Sequence, residues 1–322
     1  MKRALIIGIA GQDGYYLTRL LLDKGYAVYG TDRSMSFLSS EKKIALAGAA
    51  EIELSQPGVL AKYVRQTKPH EIYYLAAHHF SSQGTENSSG LMSPFLAVNL
   101  TTPNEVLEVL QAELPECRFF YAASAHIFGV PDVSPQTETT VYRPDTPYAI
   151  SKSTAIQLCR YYREIHRIYT VAGILYNHES PRRPDSFVTT KIARAAAMAA
   201  KGKGEHLVLR DLKAVVDWGA AEDYVDAMWR TLHQPAGDEY IISSGISHTV
   251  MDFAREAFAV VGLRAEEYVF QQPGVSDITR TPYIGDNSKI LRLCGWQPSK
   301  TFQSLIREMV EAQLENIDET RS

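Results

Sequence analysis

The sequence predicts an α/β protein: a Rossmann-type, doubly wound parallel sheet with a smaller C-terminal domain. Three observations predict it. An apolar run over residues 4–7 is followed by Gly8, Gly11 and Gly14 at three-residue spacing. Leu17, Leu20, Leu21 and Leu22 then recur at helical spacing, and a second apolar strand over 26–30 leads to Asp32. Strand and helix patterns go on alternating to about 171–175, as successive βαβ units do.

The first unit, residues 2–33, organises the rest. Residues 4–7 have no polar interruption and suit a strand buried on both faces. The glycines answer a physical need: the turn must be tight, and its backbone must come close to a pyrophosphate. The helix that follows aims free N–H groups and its positive dipole end at such a ligand. Gly8, Gly11, Gln12, Asp13 and Gly14 are therefore expected to hold a dinucleotide cofactor. Asp32 stands where a carboxylate accepts hydrogen bonds from an adenosine ribose and repels a 2′-phosphate, which favours NAD. Arg33 beside it would neutralise such a phosphate, so NADP stays open.

Composition narrows the class. With 322 residues, one or two domains are expected, and 45% hydrophobic content supplies a large core. The net charge of −4 and pI of about 6.2 present no broad basic field, so a nucleic-acid partner is not expected. No apolar run approaches the ~18 residues of a membrane span, and the first strand begins directly after Met1. The expectation is a soluble, cytoplasmic protein without a membrane partner. Cys117, Cys159 and Cys294 are scattered without metal-ligand spacing and read as reduced, mostly buried thiols, so no metal is expected.

In chain order, a short third strand is expected over 51–54, with Pro57 in the first turn of the next helix. Residues 72–77, IYYLAA, form a fourth buried strand. Leu75, Ala76 and Ala77 at its end are expected to line the cofactor site, the two alanines leaving room for it. His78 to Ser82 leave that strand at its carboxyl end, where open α/β sheets bind ligands. His78 and His79 read as either catalytic or polar loop residues, and residues 81–93 as a loop beside the site. A helix over 104–113 and a strand over 118–123 follow. Past Tyr176 the pattern loosens, with helices expected at 187–200, 221–233, 249–261 and 301–316 and strands at 207–209 and 239–243. Residues 1–175 thus read as the NAD(P)-binding domain and 176–322 as mostly a substrate-binding domain, with the chain free to cross back.

Tyr148 and Lys152 stand one helical turn apart and face the same way. An ammonium near a phenol, together with a nicotinamide's positive charge, is expected to lower the phenol's pKa. A tyrosinate there takes a proton from a sugar hydroxyl during oxidation, and Ser124, at the end of the preceding strand, hydrogen-bonds the same hydroxyl.

Gly8-x-x-Gly11-x-x-Gly14, Ser124 and Tyr148-x-x-x-Lys152 resemble the extended short-chain dehydrogenase/reductase family. GIAGQDGYYLTRLLLDKGY, PQTETTVYRPDTPYAISK, ILYNHESPRRPDSFVTTKIARA, DWGAAEDYVDAMW and GDNSKILRLCGWQPS resemble its GDP-mannose 4,6-dehydratases almost end to end. The resemblance implies a tightly held nicotinamide cofactor and a homodimer or homotetramer. It implies nucleotide contacts at Asn177, Arg183, Val188 and Lys191, and His78 and Ser81 are expected to face the substrate.

Departures from the family pattern bear on function. The family's serine motif ends Thr-Ser-Glu, and the Glu removes the proton acidified by oxidation at the neighbouring carbon. Here the motif reads Ser124-Ala125-His126. His126 can act as acid and base near neutral pH, or only hydrogen-bond substrate. The family's two diphosphate-clamping arginines fall at Val216 and, without gaps, at Ser276, with Arg280 four residues on. The expected function is an NAD(P)-dependent sugar-nucleotide dehydratase or epimerase acting through a transient ketone, a lyase most naturally. The alternatives are the same chemistry on a nucleoside or sugar lacking a diphosphate, a simple ketoreductase, and a non-catalytic nucleotide sensor.

Overall fold

The computed structural model describes residues 1–36, 44–78, 92–274 and 281–319. Its centre is a seven-stranded sheet in which every pairing is parallel. The strands are β1 (Arg3–Ile7), β2 (Ala27–Asp32), β3 (Gly48–Glu51), β4 (Glu71–Tyr74), β5 (Arg118–Ala122), β6 (Thr170–Leu175) and β10 (Glu239–Ile242), in spatial order β3-β2-β1-β4-β5-β6-β10. The order reverses between β1 and β4, so the crevice for a ligand opens at their carboxyl ends.

Helices cover both faces. Leu5 and Ile7 of β1 point to a core with α2 (Val59–Thr67), α4 (Thr102–Glu113) and α5 (Pro147–His166). Ala4 and Ile6 point to the other, with α1 (Gln12–Asp23) and α7 (Ala221–Leu232). This two-faced burial is why the strands read as unbroken apolar runs. A short α3 (Met92–Leu96) runs through one π-turn, Ala97–Thr101, into α4.

A third core joins α6 (Val188–Ala200), α8 (Val250–Val260) and α10 (Phe302–Glu319). It covers a three-stranded sheet in which β9 (Val215–Ala220) lies between β7 (Asn177–Glu179) and β11 (Ser247–Thr249). β8 (Leu207–Leu209) pairs with β12 (Val269–Gln271), and α9 (Ser288–Cys294) packs near β10. The chain therefore leaves the large sheet after β6, builds the smaller sheet, and returns through α7 and β10.

Some boundaries differ from expectation for visible reasons. The third strand lies at Gly48–Glu51, ahead of 51–54, because Ala49 and Ala50 pair with Gly30 and Thr31 while Ile52 and Leu54 turn into the core. Pro57 precedes α2, whose cap is Gly58 at φ +76°. β4 ends at Tyr74, short of Ala77, because the N–H groups of Leu75 and Ala76 both donate to Ile7 O at 2.9 Å. The alternating apolar pattern missed β7, β9, β11, β12 and α9, which are short or carry polar residues at partly open positions.

The glycine turn is dictated by contact distance. Gly8 holds φ +91°, and a Cβ there would lie 2.7 Å from Ala76 N. A Cβ on Gly14 would lie 2.5 Å from both Gly8 O and Ile9 O, neither of which can move without opening the turn. Helix propensity favours Gly14→Ala by up to about 1 kcal/mol, whereas forcing a methyl into packed backbone costs about 1–3 kcal/mol. The clash wins, so urea unfolding of Gly14→Ala is expected to show a net loss of about 1–2 kcal/mol; a variant as stable as the parent would contradict this packing.

Candidate active site

A cleft of about 610 Å³ opens at the carboxyl ends of β1 and β4. Gly8, Gly11, Gln12, Asp13, Gly14, Asp32, Arg33, Leu75, Ala76 and Ala77, all expected around a dinucleotide, line it together. The cradle fits such a group: only hydrogen-bearing backbone fits at Gly8, and the first turn of α1 faces the cleft with unpaired N–H groups. Asp32 also braces the turn, accepting from Ala10 N at 3.0 Å and Arg33 N at 2.8 Å.

His78, expected to face the substrate, lines the same cleft as the glycine turn. Its backbone is fixed by Asn99 (N–H to Oδ1 at 2.9 Å, Nδ2 to O at 3.1 Å) and its ring stands edge-on to Phe95 at 4.7 Å. His79, Ser81 and the expected loop over 81–93, up to residue 91, lie outside the described residues, as do Ser276 and Arg280.

The second cluster forms where β5 ends. Ser124 caps a 3₁₀ turn, Ala125–Phe128, its Oγ accepting from His126 N at 3.3 Å. Thr146 caps α5, with Pro147 opening the helix, and this delivers Tyr148 in the first turn. The Ser124 hydroxyl lies near enough to the Tyr148 phenol to oppose the burial that raises that phenol's pKa. The His126 ring stands edge-on to Tyr148, centroids 6.1 Å apart. His126 is open to solvent, yet the walls around it crowd it. That partial desolvation lowers its pKa, opposed by the Asp145 charge, so it is a neutral imidazole at neutral pH.

Lys152 corrects one expectation. Its Nζ donates to Ala122 O at 2.7 Å and sits 4.6 Å from the Tyr121 ring centroid, against 5.8 Å for Tyr148. The ammonium does not lower the phenol in the protein itself: burial pushes Tyr148 up to about 12, with Ser124's hydrogen bond and Arg183's charge pulling the other way. Lys152 is 1% exposed, and burial drops its amine to about 7.

The run after β6 joins the two clusters. Gln12 Nε2 donates to His178 O at 3.0 Å, and Ser180 Oγ donates to Gln12 Oε1 at 2.7 Å. Arg183 lines the glycine-turn cleft and pairs with Glu179 at 3.1 Å, while Thr189 donates to the same Glu179 oxygen at 2.8 Å. Of the remaining positions expected to hold the nucleotide, Asn177 is exposed at the start of β7, and Val188 and Lys191 lie half-buried along α6. Val216, on β9, packs against the third core, opposite His248 and bridged to Tyr283.

Tyr283 is the neighbour that sequence reasoning missed. Its ring lies 6.1 Å from His126, tilted at 49° to it. Buried Gln136 mounts its segment, donating to Pro282 O at 3.0 Å and accepting from Ile284 N at 3.1 Å, and Tyr176 OH donates to that same Gln136 oxygen at 2.8 Å. Buried Asp217 holds the far end through Gly285 N at 3.3 Å. Nothing local in the sequence links residues 126, 136 and 283.

A family model described as GDP-mannose 4,6 dehydratase matches residues 5–309. The chain belongs to that family. "GDP-mannose 4,6 dehydratase 1" of Arabidopsis thaliana is 35% identical over 98% of this chain and 90% of its own length. Among solved structures, RMD from Pseudomonas aeruginosa complexed with NADPH matches at TM-score 0.82 and 20% identity, covering 98% of this chain and all of that one. A dTDP-glucose 4,6-dehydratase from Bacillus anthracis in complex with NAD matches at TM-score 0.82 and 18% identity, covering 99% and 98%. These two likenesses show the shared fold, and family membership makes the chain an enzyme of the extended short-chain dehydrogenase/reductase type. Among the described residues no helix is long and apolar enough to cross a membrane, and no His/Cys/Asp/Glu group could hold a metal.

Lys152 gives this site a measurable signature. A lysine whose folded pKa is about 7 holds fewer protons than the unfolded chain between pH 7 and its ordinary value of 10.5, so stability rises with pH across that window. The desolvation cost present at pH 7 and below is on the order of 4 kcal/mol. Lys152→Met is therefore expected to melt higher than the parent at pH 6–7, with the advantage shrinking towards pH 10; a pH-independent difference in melting temperature would contradict a buried, depressed amine.

Proposed function

We propose that this enzyme is an NAD(P)-dependent dehydratase or epimerase of nucleotide-activated sugars, working through a transient ketone, with His126 moving the proton that a carboxylate moves in its relatives. The observation that carries the reading is the corner formed by Ser124, His126 and Tyr148 at the end of β5, beside the glycine-turn cleft. Gly8, Gly11, Gly14, Asp32 and Arg33 would hold the dinucleotide, with Arg33 leaving room for either NAD or NADP. When bound, the nicotinamide supplies reversible two-electron oxidation.

This chain's own residues handle the protons. Tyr148, aligned by Ser124, takes the proton of the substrate hydroxyl; a bound cation and the Arg183 charge act against the burial that holds the phenol near 12. The resulting ketone acidifies the adjacent C–H. His126, whose crowded surroundings favour the neutral imidazole, accepts that proton and returns it either to a leaving hydroxyl or to the carbon once the ketone has turned its other face towards the ring. The redox state ends where it began, and the net change is loss of water or inversion at one carbon. By the family resemblance, Lys191 and Arg183 would contact the nucleotide of the substrate.

Val216 favours a second reading, that the substrate lacks a diphosphate. An apolar side chain anchored in the third core stands where the resemblance implies a guanidinium, and charge-assisted hydrogen bonds of that kind contribute about 1.5–3 kcal/mol each. Thermal shifts with GDP, GMP and guanosine separate the two: GDP far stronger than guanosine supports the nucleotide sugar, and equal shifts support the second substrate.

Mass spectrometry of the native protein is expected to find a co-purifying nicotinamide dinucleotide. His126→Ala is expected to keep that dinucleotide while turnover falls by about 10²–10⁴, and His126→Glu to recover part of it. Unchanged turnover in His126→Ala would remove the imidazole from the chemistry.

A further inference from the structure

Asp13 reads from the sequence as a cofactor contact, yet its carboxylate is committed to a residue far along the chain. His178 Nε2 lies 3.0 Å from Asp13 Oδ1 and 2.9 Å from Oδ2. The other ring nitrogen, Nδ1, lies 2.8 Å from the carbonyl oxygen of Tyr176. Both partners are acceptors only, so both nitrogens must donate, and an imidazole with two N–H groups is a cation. The ring stacks on Tyr224, centroids 4.5 Å apart and planes at 27°, a contact that also favours positive charge.

We propose that His178 is a positioning residue of the dinucleotide cleft: doubly protonated, it clamps Asp13 of the first α1 turn to the run after β6, and losing that proton weakens dinucleotide binding. This rests on the reading of the cleft as a dinucleotide site. Asp13 lines that cleft beside Gly11 and Gly14, where an anionic pyrophosphate would lie. A bare carboxylate there would repel such a ligand; paired with an imidazolium it presents little net charge. The clamp also holds the segment that carries Arg183 to the same cleft.

The groups facing His178 determine the sign. Asp13 comes from α1, Tyr224 from α7, and Glu179 and Arg183 from its own segment, where they pair with each other at 3.1 Å. Burial and the Arg183 charge oppose a positive His178, but Asp13 outweighs them and the imidazole's pKa is raised; Asp13 is correspondingly held low despite its own burial, with Arg183 assisting. A raised histidine contributes its stabilisation fully below the ordinary value of 6.5 and loses it as pH climbs through the folded value. Cofactor affinity should therefore fall on the alkaline side of neutrality.

The test is the affinity of the full chain, first freed of any co-purifying dinucleotide, for NADH and for NADPH, by fluorescence titration between pH 7 and 9.5, in the parent and in Asp13→Asn and His178→Gln. The parent is expected to lose about fivefold or more in affinity across that range, and both variants to show a flat or much shallower profile. Lys152 is common to all three proteins, so the difference between profiles reports the pair. The His178 ring protons of the parent, followed by NMR, should titrate above the ordinary histidine range without any ligand. Parallel profiles in all three proteins, or a His178 that titrates at or below the ordinary range, overturn the clamp alone. Failure of the folded parent to bind either dinucleotide at any pH overturns the reading of the cleft, and the proposal with it. Melting temperature is not a substitute, since a second imidazole–carboxylate contact, His233 Nε2 to Glu71 Oε1 at 3.1 Å, sits at the opposite end of the strands.

Discussion

The rest of the structure depends on how closely three backbone segments meet after β1. Gly8 lies against Ala76, Gly14 lies against the carbonyls of Gly8 and Ile9, and Gly30 leaves room for the Ile9 side chain. These approaches bring the ends of β1, β2 and β4 to a single point and start α1 there. The cleft is the space that remains. A methyl group at any of these positions would push the strand ends apart, and the helix N-terminus would no longer face the site.

Around that point the protein places its ionisable groups where water is scarce and gives each a partner. Asp13 has His178, Glu179 has Arg183 and Thr189, and Asp217 accepts from Ser244, Gly245 and Gly285. Such pairing offsets the cost of taking charge out of water only when the remaining lone pairs are also satisfied. Apart from Glu179 and Arg183, four residues apart in one run, the partners come from different elements, so each of those contacts also registers one element on another. Asp217 and Gln136 mount the segment bearing Tyr283, and the Asp13–His178 pair ties α1 to the segment bearing Arg183.

The chemical corner follows a different logic. Tyr148 and Lys152 are both left with their uncharged forms favoured by burial, and His126 is kept neutral by crowding. A site of neutral acids and bases responds strongly to any charge brought to it, because the local dielectric is low. An imidazole in place of a carboxylate fits that economy: it accepts a proton without having held a negative charge beforehand.

Much of this was legible along the chain. The glycine spacing, the apolar strands and Asp32 point to a cleft of this shape because most of its parts lie within one βαβ unit; ten of the residues expected there line one cavity, and Tyr148 and Lys152, also expected beside the cofactor, are not among its lining residues. Ser124, Tyr148 and Lys152 were legible because strand end and helix start are read from local pattern. What sequence alone could not decide is which distant groups complete each charge. Tyr283 reaches His126 through Gln136, Lys152 turns to Ala122 and away from the phenol, and Asp13 finds His178 across the fold. Burial and pairing depend on contacts between residues from 30 to more than a hundred positions apart. A pKa follows those contacts, whereas the residue types and their spacing are set by neighbours along the chain.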